Sequence, residues 1–171
     1  MNDLEEARES ARALVNKLGL KAPPVPVEKL AKALGARVEY TPFDDELSGM
    51  AFVRDGKPVI GVNSNHHPNR QRFTIAHELA HVVLHRSKLE ATVLIDKGRN
   101  FLPRDSVSAE GIDRLEMQAN AFASELLMPE RLVQNMLSES SRDIQDDDYL
   151  ISIASRFRVS LAALQFRLGR L

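Results

Sequence analysis

Cysteine is absent from the 171 residues. Disulfides and thiolate metal sites are excluded together, so any metal must be held by histidine and carboxylate, and the chain suits a reducing compartment such as the cytoplasm. A surplus of one charge is missing too. Lysine plus arginine number 23 against 24 for aspartate plus glutamate, a formal net charge of -1, so no global basic field draws the chain to nucleic acid and only a local patch could do so. No apolar run approaches the eighteen or so residues that a membrane span needs. The opening Met1-Asn2-Asp3-Leu4-Glu5-Glu6 is acidic and amphipathic, so neither a signal peptide nor an anchor is expected. What is present is sufficient for a fold: 43% apolar residues over a length that suits one domain.

Periodicity divides the chain into elements. With Asp3 as N-cap, Leu4, Ala7, Ala11, Leu14, Val15 and Leu18 recur at helical spacing until Gly19. After Pro23-Pro24, a short helix through Val27, Leu30, Ala31 and Leu34 ends at Gly35. Three strands follow, at Arg37 to Tyr40, Gly49 to Arg54 and Lys57 to Asn63, the last two joined by the turn-forming Asp55-Gly56. They are expected to form a three-stranded antiparallel sheet. A helix is expected from Asn69 to about Arg86, and residues 87–108, without clear periodicity, read as a long loop that could serve as an active-site flap. Helical spacing returns from Glu110 to Leu127, then from Pro129 through Leu137, and in two short helices, Tyr149 to Phe157 and Leu161 to Leu168, with Ser160 as an N-cap. The acidic Asp143 to Asp148 segment reads as a solvated cap at a helix N-terminus. The result is an α+β domain over residues 1–137, its small sheet packed on the 69–86 helix, and a C-terminal helical segment over 138–171 on the same core.

The long apolar helix carries His77-Glu78-Leu79-Ala80-His81. Four residues advance a helix by about 400° and roughly 6 Å, so His77 and His81 lie on one face and can grip one metal ion. Glu78 can then hydrogen-bond a water in the open position of that metal. Such a pentapeptide arises by chance about once in a hundred chains of this size. Its setting among Phe73, Ile75, Ala76, Leu79, Ala80, Val82, Val83 and Leu84 makes the helix central, and buried histidines and a glutamate need polar partners or a metal.

A catalytic zinc commonly takes three protein ligands. His85 lies on the same stripe, yet its backbone is about 12 Å from that of His77, which suits a pocket wall or a hydrogen-bonding role better than ligation. Glu116 shares a face with Asn120 on the next long helix, beside Leu115, Ala119, Phe122 and Ala123. Two readings stand: a solvated helix edge, or Glu116 as third ligand with Asn120 orienting a ligand histidine.

The run Gln71-Arg72-Phe73-Thr74-Ile75-Ala76-His77-Glu78-Leu79-Ala80-His81, with Glu116-Met117-Gln118-Ala119-Asn120-Ala121-Phe122-Ala123 and Leu126-Leu127-Met128-Pro129, resembles the ImmA/IrrE family of metallopeptidase domains. The likeness extends to Ile60-Gly61-Val62-Asn63 and to Phe157-Arg158-Val159-Ser160; Ala80 stands where many members have glycine. The resemblance implies a zincin-like fold and a gluzincin-like Zn2+ site with His77, His81 and Glu116 as ligands and Glu78 as general base. It also implies peptide-bond hydrolysis, with a helix-turn-helix repressor as protein substrate and derepression of mobile-element or stress-response genes as the outcome.

Several roles stay open at this level. Either Gly49 to Arg54 or Lys57 to Asn63 could be an open sheet edge that takes an extended substrate. Tyr149, His85, His66 and Arg72 are the available types of oxyanion donor, with no spacing rule to choose among them, and Tyr149 and Tyr40 read first as core or rim residues. Arg156, Arg158, Arg167 and Arg170 fit a packed helical cap with solvated arginines better than a nucleic-acid surface. The competing function classes are a non-catalytic regulator- or DNA-binding module with a vestigial metal site, and a metal hydrolase acting on a small amide.

Overall fold

In the computed structural model, which describes residues 2–91, 94–96, 109–139, 143–144 and 146–171, the first helix α1 (Asp3–Leu18) starts one residue earlier than its sequence suggests. Asn2 is the N-cap, its side chain accepting from the Glu5 amide at 2.9 Å, and Asp3 adds negative charge to the first turn, where the helix dipole favours it. Gly19 ends the helix in the left-handed region, φ 59°. Ala7, Ala11 and Val15 are buried, and α1 packs on a later helix, α5 (Ala109–Leu127). Short side chains every fourth residue let the two helices approach closely. The second helix α2 (Val27–Ala33) buries Val27, Leu30 and Ala31.

The strands β1 (Arg37–Thr41), β2 (Gly49–Arg54) and β3 (Lys57–Asn63) form where periodicity places them, but their arrangement differs from an antiparallel meander. Among the described residues the sheet is mixed and has four strands in the order β1-β3-β2-β4. β2 and β3 are the expected antiparallel hairpin, turning at Asp55 (φ 53°) and Gly56 (φ 73°), a backbone that matches strand twist. β1 instead lies on the far side of β3 and runs parallel to it. Two features explain this. Six of the seven β3 residues are buried, as suits a central strand. The β1–β2 connection is also tied to the end of β3: the buried Asn63 amide nitrogen donates to the carbonyls of Phe43 (3.3 Å), Asp44 (3.0 Å) and Leu47 (2.8 Å).

Part of the 87–108 region is regular, which corrects its reading as one long loop. A short helix α4 (Arg86–Ala91) precedes β4 (Leu94–Asp96), which pairs with β2 at Gly49, Met50 and Ala51. The rest of the expected flap, residues 92–93 and 97–108, lies outside the described residues. The helix α3 (Pro68–Leu84) rests on β2 and β3 on one side and on α5 on the other. Residues 74–82 are all buried, as befits a helix enclosed on every face. Among the described residues no helix is long and apolar enough to cross a membrane.

After α5 come α6 (Glu130–Ser138), α7 (Asp147–Phe157) and α8 (Leu161–Leu168). Asp146 caps α7 by accepting from the amides of Asp148 and Tyr149, and Ser160 caps α8 by accepting from Ala163. Arg156, Arg158 and Arg170 are exposed, as expected of solvated arginines. Arg167 is not. It is 3% exposed, donates to Glu125 at 2.5 Å and to the Met128 carbonyl at 3.1 Å, and so joins α8 to the end of α5.

Candidate metal centre

The sequence of α3 places three functional side chains in the interior. His77, Glu78 and His81 are 3%, 1% and 2% exposed. Their polarity comes from the motif; their burial comes from the apolar residues around them, which press α3 between the sheet and α5. α5 supplies Glu116, whose carboxylate reaches both histidines: Oε2 is 3.0 Å from His77 Nε2 and Oε1 is 3.3 Å from His81 Nε2. The two Nε2 atoms are 3.3 Å apart. Ligand atoms about 2.0–2.1 Å from a tetrahedral zinc are about 3.3 Å from one another, so the three donors already have the spacing of three corners of such a site. Their chemistry, two imidazoles and one carboxylate, also fits a catalytic zinc. Among the described residues this is the one histidine and carboxylate cluster that could hold a metal ion.

Charge and protonation favour a cation. Burial, which disfavours imidazolium, pushes His81 from 6.5 down to about 4, with the Glu116 hydrogen bond working in the opposite direction. Burial pushes the Glu116 carboxyl up, but the hydrogen bonds of His77 and His81 and their charges outweigh it and hold the group below its ordinary value. Near neutral pH His81 is therefore a neutral imidazole beside an ionised Glu116 carboxylate, the protonation state that metal ligation requires of these two groups.

Each histidine is held from behind. His77 Nδ1 is 3.0 Å from Asn120 Oδ1, so a neutral His77 that donates there keeps its Nε2 lone pair toward Glu116 and His81. His81 Nδ1 is 2.9 Å from His85 Nδ1, and His85 Nε2 is 2.9 Å from Gln118 Oε1. Burial lowers the pKa of His85 as well, against the opposing hydrogen bond to Gln118. His85 thus lies behind His81 and outside the group of converging donors. Asn120 occupies the position that its helical spacing from Glu116 implies.

Gln118 carries no sequence signal that marks it, and Gly49 only a weak one. Gln118 is two residues from Glu116, off the i, i+4 stripe, and only the approach of His85 to α5 reveals its role. At Gly49, a Cβ would collide with Thr74 Cγ2 and stand 2.8 Å from the Gly61 carbonyl and 3.4 Å from Glu78 Oε1. Glycine therefore lets β2 lie close to α3 beside Glu78. A glycine at the start of a strand was the available hint.

Other candidates lie elsewhere. The Tyr149 hydroxyl donates to the Met136 carbonyl in the helical cap, and Arg72 donates to the Val25 carbonyl. His66 Nε2 sits beside the Asp45 carbonyl and the Asn63 amide at the end of β3. Tyr40 is bonded to Glu28, and of the four oxyanion candidates only His85 is near the centre. β3 is internal, and β2 is covered by β4 along Gly49, Met50 and Ala51. Neither Lys57 to Asn63 nor the Gly49 end of β2 is an open edge; among the described strands the outer ones are β1 and β4.

An HExxH helix whose histidines meet a carboxylate from a following helix, laid on a small mixed sheet, defines a zincin-like α+β domain. Residues 31–169 match the model of the Peptidase_M78 family, the IrrE N-terminal-like domain. The chain belongs to this ImmA/IrrE family of metallopeptidases. The radiation response metalloprotease IrrE of Deinococcus radiodurans is 35% identical over 80 residues, which span 46% of this chain and 22% of that protein. A solved Mycobacterium tuberculosis transcriptional regulator has the same fold, with a TM-score of 0.65 and 21% identity over 96% of this chain and 46% of that one. The chain therefore spans less than half the length of either relative.

Proposed function

We propose that the chain is a zinc-dependent endopeptidase with His77, His81 and Glu116 as metal ligands and Glu78 as general base. The observation that carries this is the 3.0–3.3 Å spacing of the three donor atoms, together with family membership. Zinc at this position would supply Lewis acidity, polarising a peptide carbonyl and making water a better nucleophile. Glu78 takes a proton from the attacking water and delivers it to the departing amide nitrogen. Asn120 fixes the ring of His77 and His85 that of His81, so that neither ligand has to be ordered when the metal binds. Gly49 keeps β2 clear of the Glu78 carboxylate.

A helix-turn-helix repressor is the proposed substrate, and release of the genes it silences, among mobile elements or the response to stress, is the consequence. This part of the reading rests on resemblance to the family, with the printed name of the radiation response relative in keeping with it. The test is incubation of a repressor encoded next to this gene with wild type and Glu78→Gln, with and without zinc, followed by mass spectrometry. Wild type with zinc should give two defined fragments. Glu78→Gln should keep one equivalent of zinc and lose cleavage by at least the 10²–10⁴-fold expected of a general base. Binding of the repressor by both proteins with turnover by neither would instead identify a non-catalytic binding module.

A further inference from the structure

We propose that Gln118, acting through His85, sets the tautomer of His81, and that this hydrogen-bonded chain reverses its polarity between the metal-free and metal-loaded states. The inference rests on the zinc-site reading above and adds one positioning residue, Gln118, to it. A neutral imidazole has one N–H and one lone pair. Across the 2.9 Å contact between the two Nδ1 atoms, one ring must therefore donate and the other accept.

If the Nε2 lone pair of His81 is given to a metal, His81 Nδ1 carries the proton and donates to His85 Nδ1. His85 must then carry its own proton on Nε2, where Gln118 Oε1 accepts it at 2.9 Å. Only one set of proton positions satisfies the loaded site. A half-turn of the Gln118 amide presents its NH2 group instead and reverses every bond: Gln118 donates to His85 Nε2, His85 Nδ1–H donates to His81 Nδ1, and His81 Nε2–H donates to Glu116 Oε1, 3.3 Å away. That arrangement satisfies the site without a metal. A carboxylate in place of Gln118 could only accept and would hold the first arrangement. The carboxamide permits both, so on loading the proton given up at His81 Nε2 is matched by one gained from solvent at His85 Nε2, and the net proton count of the chain is unchanged. Gln118 lies on α5 two residues from Glu116, so the same helix provides a ligand and the group that prepares another.

The experiment uses the full chain, labelled with 15N-histidine. Long-range 1H–15N spectra report the tautomer of each ring, and competition with a chelator gives the zinc affinity. On adding zinc, His85 in wild type should pass from Nδ1–H to Nε2–H and His81 from Nε2–H to Nδ1–H. Gln118→Glu should show the Nε2–H form of His85 before zinc is added and bind zinc about 10-fold more tightly, whereas Gln118→Leu should bind it about 10-fold more weakly. Met117→Glu, at an exposed neighbouring position, adds the same charge without reaching His85 and should leave the tautomers as in wild type. With zinc bound, an unchanged His85 tautomer overturns the relay alone, as does the same change in affinity for Gln118→Glu and Gln118→Leu. Failure of wild type to bind one equivalent of zinc overturns the zinc-site reading and the relay with it.

Discussion

Two buried polar clusters lie along α5, and they resolve charge in opposite ways. Near its C-terminal end Glu125, 1% exposed, meets Arg167 at 2.5 Å and Arg12 at 3.4 Å, so the carboxylate is answered by cations of the chain itself. Nearer its N-terminal end Glu116 meets two histidines, and burial pushes His81 toward the neutral form. Among the described residues no lysine or arginine forms a salt bridge with Glu116. The first cluster is complete as a structural joint between α5, α8 and α1. The second has a negative charge and two imidazole Nε2 atoms converging within 3.3 Å of one another, an arrangement that a divalent cation would complete. A carboxylate on α5 is thus common to both, buried at Glu125 and half-buried at Glu116, and the identity of the partner separates a joint from a site.

The contrast can be broken most strongly at the ligands. Glu116→Ala or His77→Ala should abolish tight zinc binding, measured by metal analysis after dialysis, and with it the cleavage activity. A full equivalent of zinc retained by Glu116→Ala would remove Glu116 from the ligand set. Because metal binding adds to folding free energy, these variants should also lose the rise in melting temperature that zinc gives to wild type.

At the other cluster the expected effect is on stability. Arg167→Met leaves Glu125 buried beside a partly exposed Arg12 and removes the donor to the Met128 carbonyl, and breaking a buried pair by removing one partner costs about 3–5 kcal/mol. Urea denaturation should show that loss while the protein still binds zinc with wild-type stoichiometry. Equal losses of zinc and of stability in this variant would show that the two clusters are one cooperative unit.

The smallest effect concerns pH in the metal-free protein. His81 is held at about 4 in the fold against 6.5 when unperturbed, so between these values the unfolded chain binds the proton that the folded chain refuses. Stability therefore falls as pH drops from about 6.5 to about 4, by on the order of 3 kcal/mol. Below 4.5 the depressed Glu116 carboxyl acts in the same direction, because its unfolded form takes up a proton first. Denaturation of the metal-free protein across this range should show the slope, and His81→Gln should flatten its upper part. An unchanged slope in that variant would assign the acid sensitivity to other groups.

The elements nearest the site were the most legible. α3 was expected from Asn69 to about Arg86 and runs Pro68–Leu84, because one residue spacing sets both its apolar faces and its histidine pair. Ser160 and the Asp143 to Asp148 segment, in which Asp146 is the cap, could be read as helix starts because a cap is a local interaction between neighbouring residues. The parallel placement of β1 was not legible, since its cause is the contact of Asn63 with a loop some twenty positions earlier in the chain. Arg167 was misread for the same reason: its spacing on α8 does not show that Glu125 waits 42 positions away.

By itself the sequence determined the chemistry that is available: no thiolate, two histidines one helical turn apart, a glutamate beside the first, and a second acidic helix able to offer another ligand. Those properties follow from residue type and from helical geometry, which need no knowledge of distant neighbours. Only the tertiary structure decided which carboxylate meets the histidines, that Glu116 does so at 3.0 and 3.3 Å, and that His85 lies behind His81. It also decided that Glu125, on the same helix, is neutralised by arginine instead. Local sequence sets where a side chain lies on its own helix, whereas the packing of α3, α5 and α8 against one another sets what that side chain faces.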